Sequence, residues 1–113
     1  MLLQHRDSVL RPYNELINVG TRCKAKRNSG ICKRGEIGVC YEVYTRSNTD
    51  PYDLGFSFIF YNGGYDGWST TDIDAGLLII PGIVPSLADY NFANVSQLRI
   101  DFQRGVFSDA WEQ

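Results

Sequence analysis

The chain has 113 residues, of which 43% are hydrophobic and 13% are aromatic, and its formal net charge is −2. This length favours a single domain with a modest core of its own, and the aromatic content excludes a largely disordered chain. A net charge so close to zero indicates, by itself, neither a nucleic-acid partner nor a membrane partner.

The positive charges are concentrated in one stretch of the chain. Between residues 22 and 34 there are six basic side chains and no acidic one, which leaves five basic and thirteen acidic residues elsewhere. The six are Arg22, Lys24, Lys26, Arg27, Lys33 and Arg34. This distribution predicts a basic surface on an otherwise acidic molecule.

The cysteine content indicates a reducing compartment. Cys23, Cys32 and Cys40 form neither an even set nor a Cys-x-x-Cys pair, which argues against an extracellular disulfide framework. The N-terminal residues lack the apolar run of a signal peptide, and no stretch has the length of a membrane span. We therefore expect a cytoplasmic protein without a membrane partner.

The first third of the chain predicts an arm, a strand and a loop. Residues 1–18 are weakly patterned and are predicted to form a short N-terminal arm. Residues 20–27 alternate, with Thr21, Cys23 and Ala25 predicted to face inward and the basic side chains outward, which is typical of a strand. Residues 28–35 are predicted to form a glycine-bounded loop.

The strongest pattern runs from residue 36 to residue 70 and predicts strands at 36–45, 55–61 and 65–69. In the first of these strands the alternation assigns Ile37, Val39, Tyr41 and Val43 to one face. In the second, Phe56, Phe58 and Phe60 share a face. The Asn62-Gly63-Gly64 sequence predicts a tight hairpin turn between the second and third strands, and the aromatic residues predict the nucleus of a small antiparallel core.

The last part of the chain predicts a capped turn at residues 70–74 and a final strand at 77–80 that ends at Pro81. The pattern of residues 94–105 is compatible with either a helix or a strand. The side chains that would share the buried face of the helix are Val95, Leu98, Phe102 and Val106, and Gly105 occupies the position of a helix C-cap.

Five short strands with a turn-like element before the last resemble an SH3-like β-barrel, of the broad kind that includes KOW and Tudor modules. The resemblance is carried by residues 19–23, 35–39, 56–60 and 65–68, with 72–73 following. Gly35-Glu36-Ile37-Gly38-Val39, which leads into the second strand, is the part most similar to KOW.

This resemblance implies a mainly β (β+α) fold, with a five-stranded SH3-like barrel over residues 19–80, the N-terminal arm 1–18, and a C-terminal extension 81–113 that holds a helix. The extension has no counterpart in the plain barrel, which favours a small bacterial or phage family. The paired tryptophan and acidic loop of signalling SH3 domains are missing, so the resemblance does not imply binding of proline-rich peptides.

The sequence offers no catalytic constellation, and we expect no metal and no cofactor. The only histidine, His5, lies in the N-terminal arm, and the cysteines lack the spacing of a zinc site. Cys23 and Cys40 are predicted to be packing residues, and Cys32 is predicted to be an exposed, oxidation-sensitive loop thiol.

Two acidic residues are assigned to the surface as charges that balance the basic strand. Glu36 and Glu42 are expected to pair across strands with Lys24 or Lys26, and each such pair would be worth little.

Three functions remain open, none of them enzymatic. The first is a binding module that acts through protein–protein contacts at an aromatic and charged rim. The second is a KOW-like RNA- or DNA-binding protein that uses the basic residues 22–34, with Tyr44 among the rings that stack on bases. The third is a phage-type inhibitor whose acidic surface mimics nucleic acid. The candidate binding residues are Arg22, Lys24, Lys26, Arg27, Lys33, Arg34, Tyr52, Tyr65 and Trp68.

Overall fold

The computed structural model describes residues 17–50, 53–83, 87, 90 and 92–106. Five strands lie in this part of the chain: β1 Thr21–Ala25, β2 Ile37–Thr45, β3 Leu54–Phe60, β4 Tyr65–Ser69 and β5 Leu77–Ile83. Helix α1, Thr70–Gly76, separates β4 from β5, and a 3₁₀ turn, Phe92–Asn94, leads into helix α2, Val95–Gln103. The predicted mainly β fold is therefore confirmed, and most of residues 94–105 are helical.

The five strands form one antiparallel sheet in the order β4-β3-β2-β1-β5. Strands β4 and β5 are its two edges, and the described residues show no pairing between them. The sheet is open in this part of the chain, so the prediction of a closed barrel is not confirmed. No helix that the structure describes is long and apolar enough to cross a membrane.

The inner face of the sheet carries the core that the alternation predicts. Phe56, Phe58 and Phe60 are fully buried, together with Cys23 and Cys40 of the neighbouring strands. Ile17, from the segment assigned to the arm, is buried in the same cluster, so the core begins earlier than predicted; residues 1–16 lie outside the described part of the chain. Buried aromatic rings contribute a large share of the apolar surface that a small domain buries.

The outer face is covered as well, by helix α2. Val95 and Leu98 of the helix are buried against Val39 and Tyr41 of the central strand β2 and against Ile59 of its neighbour β3. Because these strands are buried on both faces, their sequences read as nearly continuous apolar runs. The helix covers only part of the outer face, since Glu42 and Tyr44 are not in this cluster.

A β-bulge in β2 separates the two halves of the outer face. Cys40 pairs with Phe58 and Glu42 pairs with Ser57, so the register shifts by one residue at Tyr41. The bulge places Glu42 on the same side as Tyr41. The strict alternation predicted for this strand is therefore wrong beyond Tyr41.

The shift continues to the end of the strand. Val43 packs against the inner core, and Tyr44 lies on the outer face opposite Gly55. The prediction that Val43 shares a face with Val39 is wrong for the same reason.

Two further boundaries differ from the predictions. Strand β5 continues through Pro81 to Ile83, because it is an edge strand and its register on β1 shifts between Thr21 and Arg22, where Gly82 has a φ of 114°. Val106 is 60% exposed, because α2 ends at Gln103 and the chain turns away at Gly105, whose φ is 80°.

The ring of Tyr44 lies across strands β3 and β4. A Cβ atom at Gly55 would collide with Cζ of Tyr44, and a Cβ atom at Gly67 would collide with the phenol oxygen. A side chain at Gly55 or Gly67 would therefore have to displace the Tyr44 ring.

We expect Gly55→Ala to lower the free energy of unfolding by about 1–3 kcal/mol, the usual range for an overpacked site. In a Tyr44→Ala background the same change should be neutral or slightly stabilising, because the ring is gone and alanine restricts the unfolded chain. Urea denaturation of the four proteins of this double-mutant cycle measures the difference. An equal loss in both backgrounds would contradict the assignment.

Candidate binding site beside strand β4

The loop of residues 28–35 is joined to the β3–β4 turn by one carboxylate. Glu36 accepts hydrogen bonds from the backbone N–H of Lys33 at 3.0 Å and from the backbone N–H of Asn62 at 2.7 Å. The side-chain amide of Asn62 donates a third bond at 3.0 Å. We call this arrangement the Glu36 clamp. Hydrogen bonds to a charged acceptor are stronger than neutral ones, so the clamp fixes the two segments to each other.

The clamp replaces the surface ion pair expected for Glu36. The ammonium group of Lys26, one of its expected partners, instead donates to the carbonyl oxygen of Asp74 at 2.9 Å. This carbonyl lies in the last turn of α1, where the helix dipole favours a cation.

The loop and the turn are also in direct contact. The side-chain amide of Asn62 donates through its nitrogen to the Ile31 carbonyl at 3.3 Å, and its oxygen accepts from the Gly64 N–H at 2.6 Å. A Cβ atom at Gly64 would collide with the Ile31 carbonyl oxygen, so only glycine allows this approach. The predicted Asn62-Gly63-Gly64 turn is confirmed, and it has this second role.

Cys32 is buried by the same loop. Its side chain is 3% exposed and its sulfur lies 3.3 Å from the Ser29 hydroxyl, while its carbonyl accepts from the Ser29 N–H at 2.8 Å. The prediction of an exposed thiol is wrong, because the loop closes on itself and turns Cys32 into the inner core.

A pocket of about 380 Å³ lies between this loop, strand β4 and helix α1. We call it the Trp68 pocket. Its lining residues are Arg27, Ser29, Gly30, Ile31, Cys32, Asp66, Gly67, Trp68, Asp72 and Gly76. Trp68 forms its aromatic wall and also packs against the inner core, with its ring 6.2 Å from that of Phe60.

The lining of the pocket favours a ligand, because it combines the Trp68 ring with charges of both signs, from Arg27, Asp66 and Asp72. The indole nitrogen of Trp68 is shielded from solvent and has no hydrogen-bond partner in the part of the chain that the structure describes, so a ligand in the open pocket does not reach it.

Asp72 is held by the N-terminal capping box of α1. Its carboxylate accepts from the Ser69 N–H at 3.2 Å, and the Ser69 hydroxyl accepts from the Asp72 N–H at 3.1 Å. The hydrogen bonds from Ser69 lower the pKa of the Asp72 carboxyl below its ordinary value of 3.8. Asp72 therefore presents a fixed negative charge, and the predicted capped turn is a helix of two turns.

The predicted binding residues are distributed over several places. Arg27 and Trp68 line the pocket. The other basic residues divide between β1, where Arg22 and Lys24 are half-buried, the carbonyl end of α1, where Lys26 is bonded, and the loop, where Lys33 and Arg34 are exposed.

The aromatic candidates are not gathered into one platform. Tyr65 is half-buried in the outer cluster, and the guanidinium group of Arg99 lies 5.8 Å from the centre of its ring. Tyr44 covers Gly55 and Gly67. Tyr52 lies outside the described residues.

Sequence reasoning missed the acidic side of the pocket. Asp66 was overlooked because its strand alternation gives no sign of a nearby loop. Asp72 carried a usable signal, since Ser69-Thr70-Thr71-Asp72 has the spacing of a capping box.

The buried thiols are poorly placed for nucleophilic chemistry. Burial raises the pKa of Cys40 to about 12 and raises that of Cys23 still further, which suppresses the reactive thiolate. His5 lies outside the described residues. Among the residues that are described, no group of three or more His, Cys, Asp or Glu side chains could hold a metal ion.

We expect Glu36→Gln to lower the free energy of unfolding by about 1.5–3 kcal/mol, because the charged acceptor of three hydrogen bonds is lost. Amide hydrogen exchange at Lys33 and Asn62 should become faster at the same time. Asp74→Asn, at an exposed carboxylate outside the clamp, is the matched control and should change stability by less than about 0.5 kcal/mol. A loss no larger than that of the control would refute the clamp.

Asp72→Asn should lower stability at pH 7 by about 0.5 kcal/mol, the level typical of exposed acidic groups at helix N-termini. Because the pKa of Asp72 is lower in the folded state, its contribution is present above pH 3.8 and is lost as the pH falls through the folded value. The difference from the unmutated protein should therefore shrink in urea titrations as the pH is lowered from 7 to below 3.8. A difference that stays constant over this range would contradict this account.

No protein-family model matches the chain, no curated protein matches it, and no solved structure matches it. The SH3-like resemblance therefore stays a prediction, and the geometry of the site is the basis for assigning a function.

Proposed function

We propose that this protein is a non-enzymatic binding module that holds an extended segment of a protein partner in the Trp68 pocket. The observation that carries the proposal is the Trp68 pocket itself, in which a half-buried indole ring lies among charged side chains of both signs. An aromatic wall beside charged groups suits a side chain of a protein partner. Tryptophan and arginine are also the residues most often found at the energetic centre of protein interfaces.

The size and stiffness of the pocket support a peptide ligand. A volume of about 380 Å³ is at the small end of the range for ligand sites and suits one or two side chains. The loop wall is held by the Glu36 clamp and the opposite wall by the capping box of α1. A site that is already ordered loses less entropy when it binds.

We also propose that the sheet is that of an SH3-like barrel and that the protein is cytoplasmic. An SH3-like barrel is supported by the five antiparallel strands and by helix α1 just before the last strand. A cytoplasmic location is supported by the three cysteines, which are buried and free of disulfides.

Nucleic-acid binding is the second candidate. It is supported by exposed basic residues: Lys33 and Arg34 lie on the loop whose backbone is fixed by Glu36 and Asn28, and Arg27 lies just before it. It is disfavoured by the aromatic residues, because the Tyr44 ring lies against Gly55 and Gly67 and the Tyr65 ring lies beside Arg99, so each ring already has a contact within this chain. Mimicry of nucleic acid by the acidic surface stays a prediction without further support.

The proposal is tested with a phage-displayed library of random linear peptides. Peptides enriched on the unmutated protein should lose at least tenfold in affinity for Gly30→Phe, which is about 1.4 kcal/mol. Gly30 lines the pocket and a Cβ atom there would meet nothing within 4 Å, so a phenylalanine can be added without a clash and should obstruct the pocket. Gly30→Ala is the matched control and should bind within about twofold of the unmutated protein.

Two outcomes would contradict the proposal. One is a set of enriched peptides that bind Gly30→Phe as well as they bind the unmutated protein. The other is an absence of enriched peptides together with salt-sensitive binding of a single-stranded oligonucleotide that Lys33→Glu with Arg34→Glu abolishes. That result would establish the nucleic-acid alternative.

A further inference from the structure

A smaller pocket, of about 230 Å³, lies between the β3–β4 turn and the end of helix α2. Its lining residues are Tyr61, Asn62, Gly63, Arg99, Phe102 and Gln103. We call it the Arg99 pocket, because Arg99 is the only charged residue among these six. None of the six lines the Trp68 pocket, so the two pockets are separate sites.

The guanidinium group of Arg99 is positioned by a ring and by a glycine. Its carbon atom lies 5.8 Å from the centre of the Tyr65 ring, where the electron-rich face of the ring attracts a cation. A Cβ atom at Gly63, whose φ is 93°, would lie 3.3 Å from two of the guanidinium nitrogens. The missing side chain at Gly63 therefore gives the guanidinium group room to lie against the turn.

The positive charge of Arg99 is not balanced by a carboxylate of the described chain. Among the described residues, its side chain makes neither an ion pair nor a hydrogen bond. Asp101, on the same helix, instead accepts hydrogen bonds from Tyr90 and Gln97. Glu36, which is bonded to the turn, is occupied by the clamp. The guanidinium N–H donors are thus available to a ligand.

Aromatic side chains form the apolar part of the Arg99 pocket. Tyr61 is 68% exposed, and Phe102 is half-buried against the outer cluster. Exposed tyrosine next to arginine is typical of binding surfaces, because both residue types are enriched where partners bind. A volume of about 230 Å³ lies below the range of sites for drug-sized molecules, so the pocket suits one functional group and its immediate neighbour.

We infer that the Arg99 pocket binds an anionic group, a carboxylate or a phosphate, that is attached to an apolar group. A guanidinium group donates two parallel hydrogen bonds to either kind of oxyanion. The rings of Tyr61 and Phe102 offer the surface for the apolar group, and the side-chain amide of Gln103 adds a neutral donor. The inference goes beyond the proposed function, because it concerns a separate pocket and a different ligand chemistry.

The inference is tested by titrating small probes into ¹⁵N-labelled protein at constant ionic strength. Benzoate represents the carboxylate and phenyl phosphate the phosphate, and benzamide is the neutral counterpart of benzoate. At least one anionic probe should shift the amide signals of residues 61–63 and 102–103, and the tighter of the two identifies the preferred anion. Benzamide should bind at least about fivefold more weakly than benzoate, and acetate, which lacks the ring, should also bind more weakly.

Two arginine variants locate the site. Arg99→Gln should weaken binding of the anionic probe at least about fivefold. Arg104→Gln is the matched control, because Arg104 is an exposed arginine just after the same helix that does not line the pocket. It should change binding by less than about twofold.

Four outcomes would overturn the inference. They are the absence of any shift with both anionic probes, equal binding of benzoate and benzamide, equal binding of benzoate and acetate, and shifts that ignore Arg99→Gln. Gly30→Phe keeps the two proposals apart, since it obstructs the Trp68 pocket and should leave probe binding unchanged. If the probes bind as expected while no peptide responds to Gly30→Phe, the anion site stands and the proposed function falls.

Discussion

The arrangement of the site depends on one carboxylate. Glu36 stands at the start of β2, and its two oxygens hold the loop before this strand and the turn between β3 and β4. These two segments position the walls of the Trp68 pocket. The loop supplies Gly30 and Ile31 to one wall, and the turn leads directly into β4, which supplies another. A charged acceptor with several donors is costly to disrupt, so the distance between the walls is fixed before a ligand arrives.

The second constraint is the partial cover on the outer face of the sheet. Helix α2 buries one half of that face, and the bulge at Tyr41 turns β2 so that Glu42 and Tyr44 emerge on the other half. Polar side chains are thereby carried by the two most deeply buried strands of the molecule, which hold them rigidly. The same packing explains the glycines at positions 55 and 67, since they make room for the Tyr44 ring.

Much of this fold could be predicted from local sequence patterns, but the site could not. The alternation of Phe56, Phe58 and Phe60 predicts β3 to within one residue at each end, because a buried face imposes its period on the sequence. The bulge at Tyr41 was not predictable, because register is a property of two strands together. The burial of Cys32 depends on the conformation of the loop of residues 28–35, which a hydrogen bond to Glu36 from beyond the loop stabilises. The Trp68 pocket arises from such contacts, and of its lining residues only Arg27 and Trp68 were identified in advance as binding residues.

The central claim is that the protein works through the surface on either side of β4 and not through its basic strand. Hydrogen–deuterium exchange of the protein, with and without a saturating peptide selected on it, tests this claim most directly. The account predicts slower exchange at residues 29–32 and 65–68 and no change in the edge strand 77–83. Protection confined to residues 22–26 and 33–34, or to the edge of β5, would contradict it.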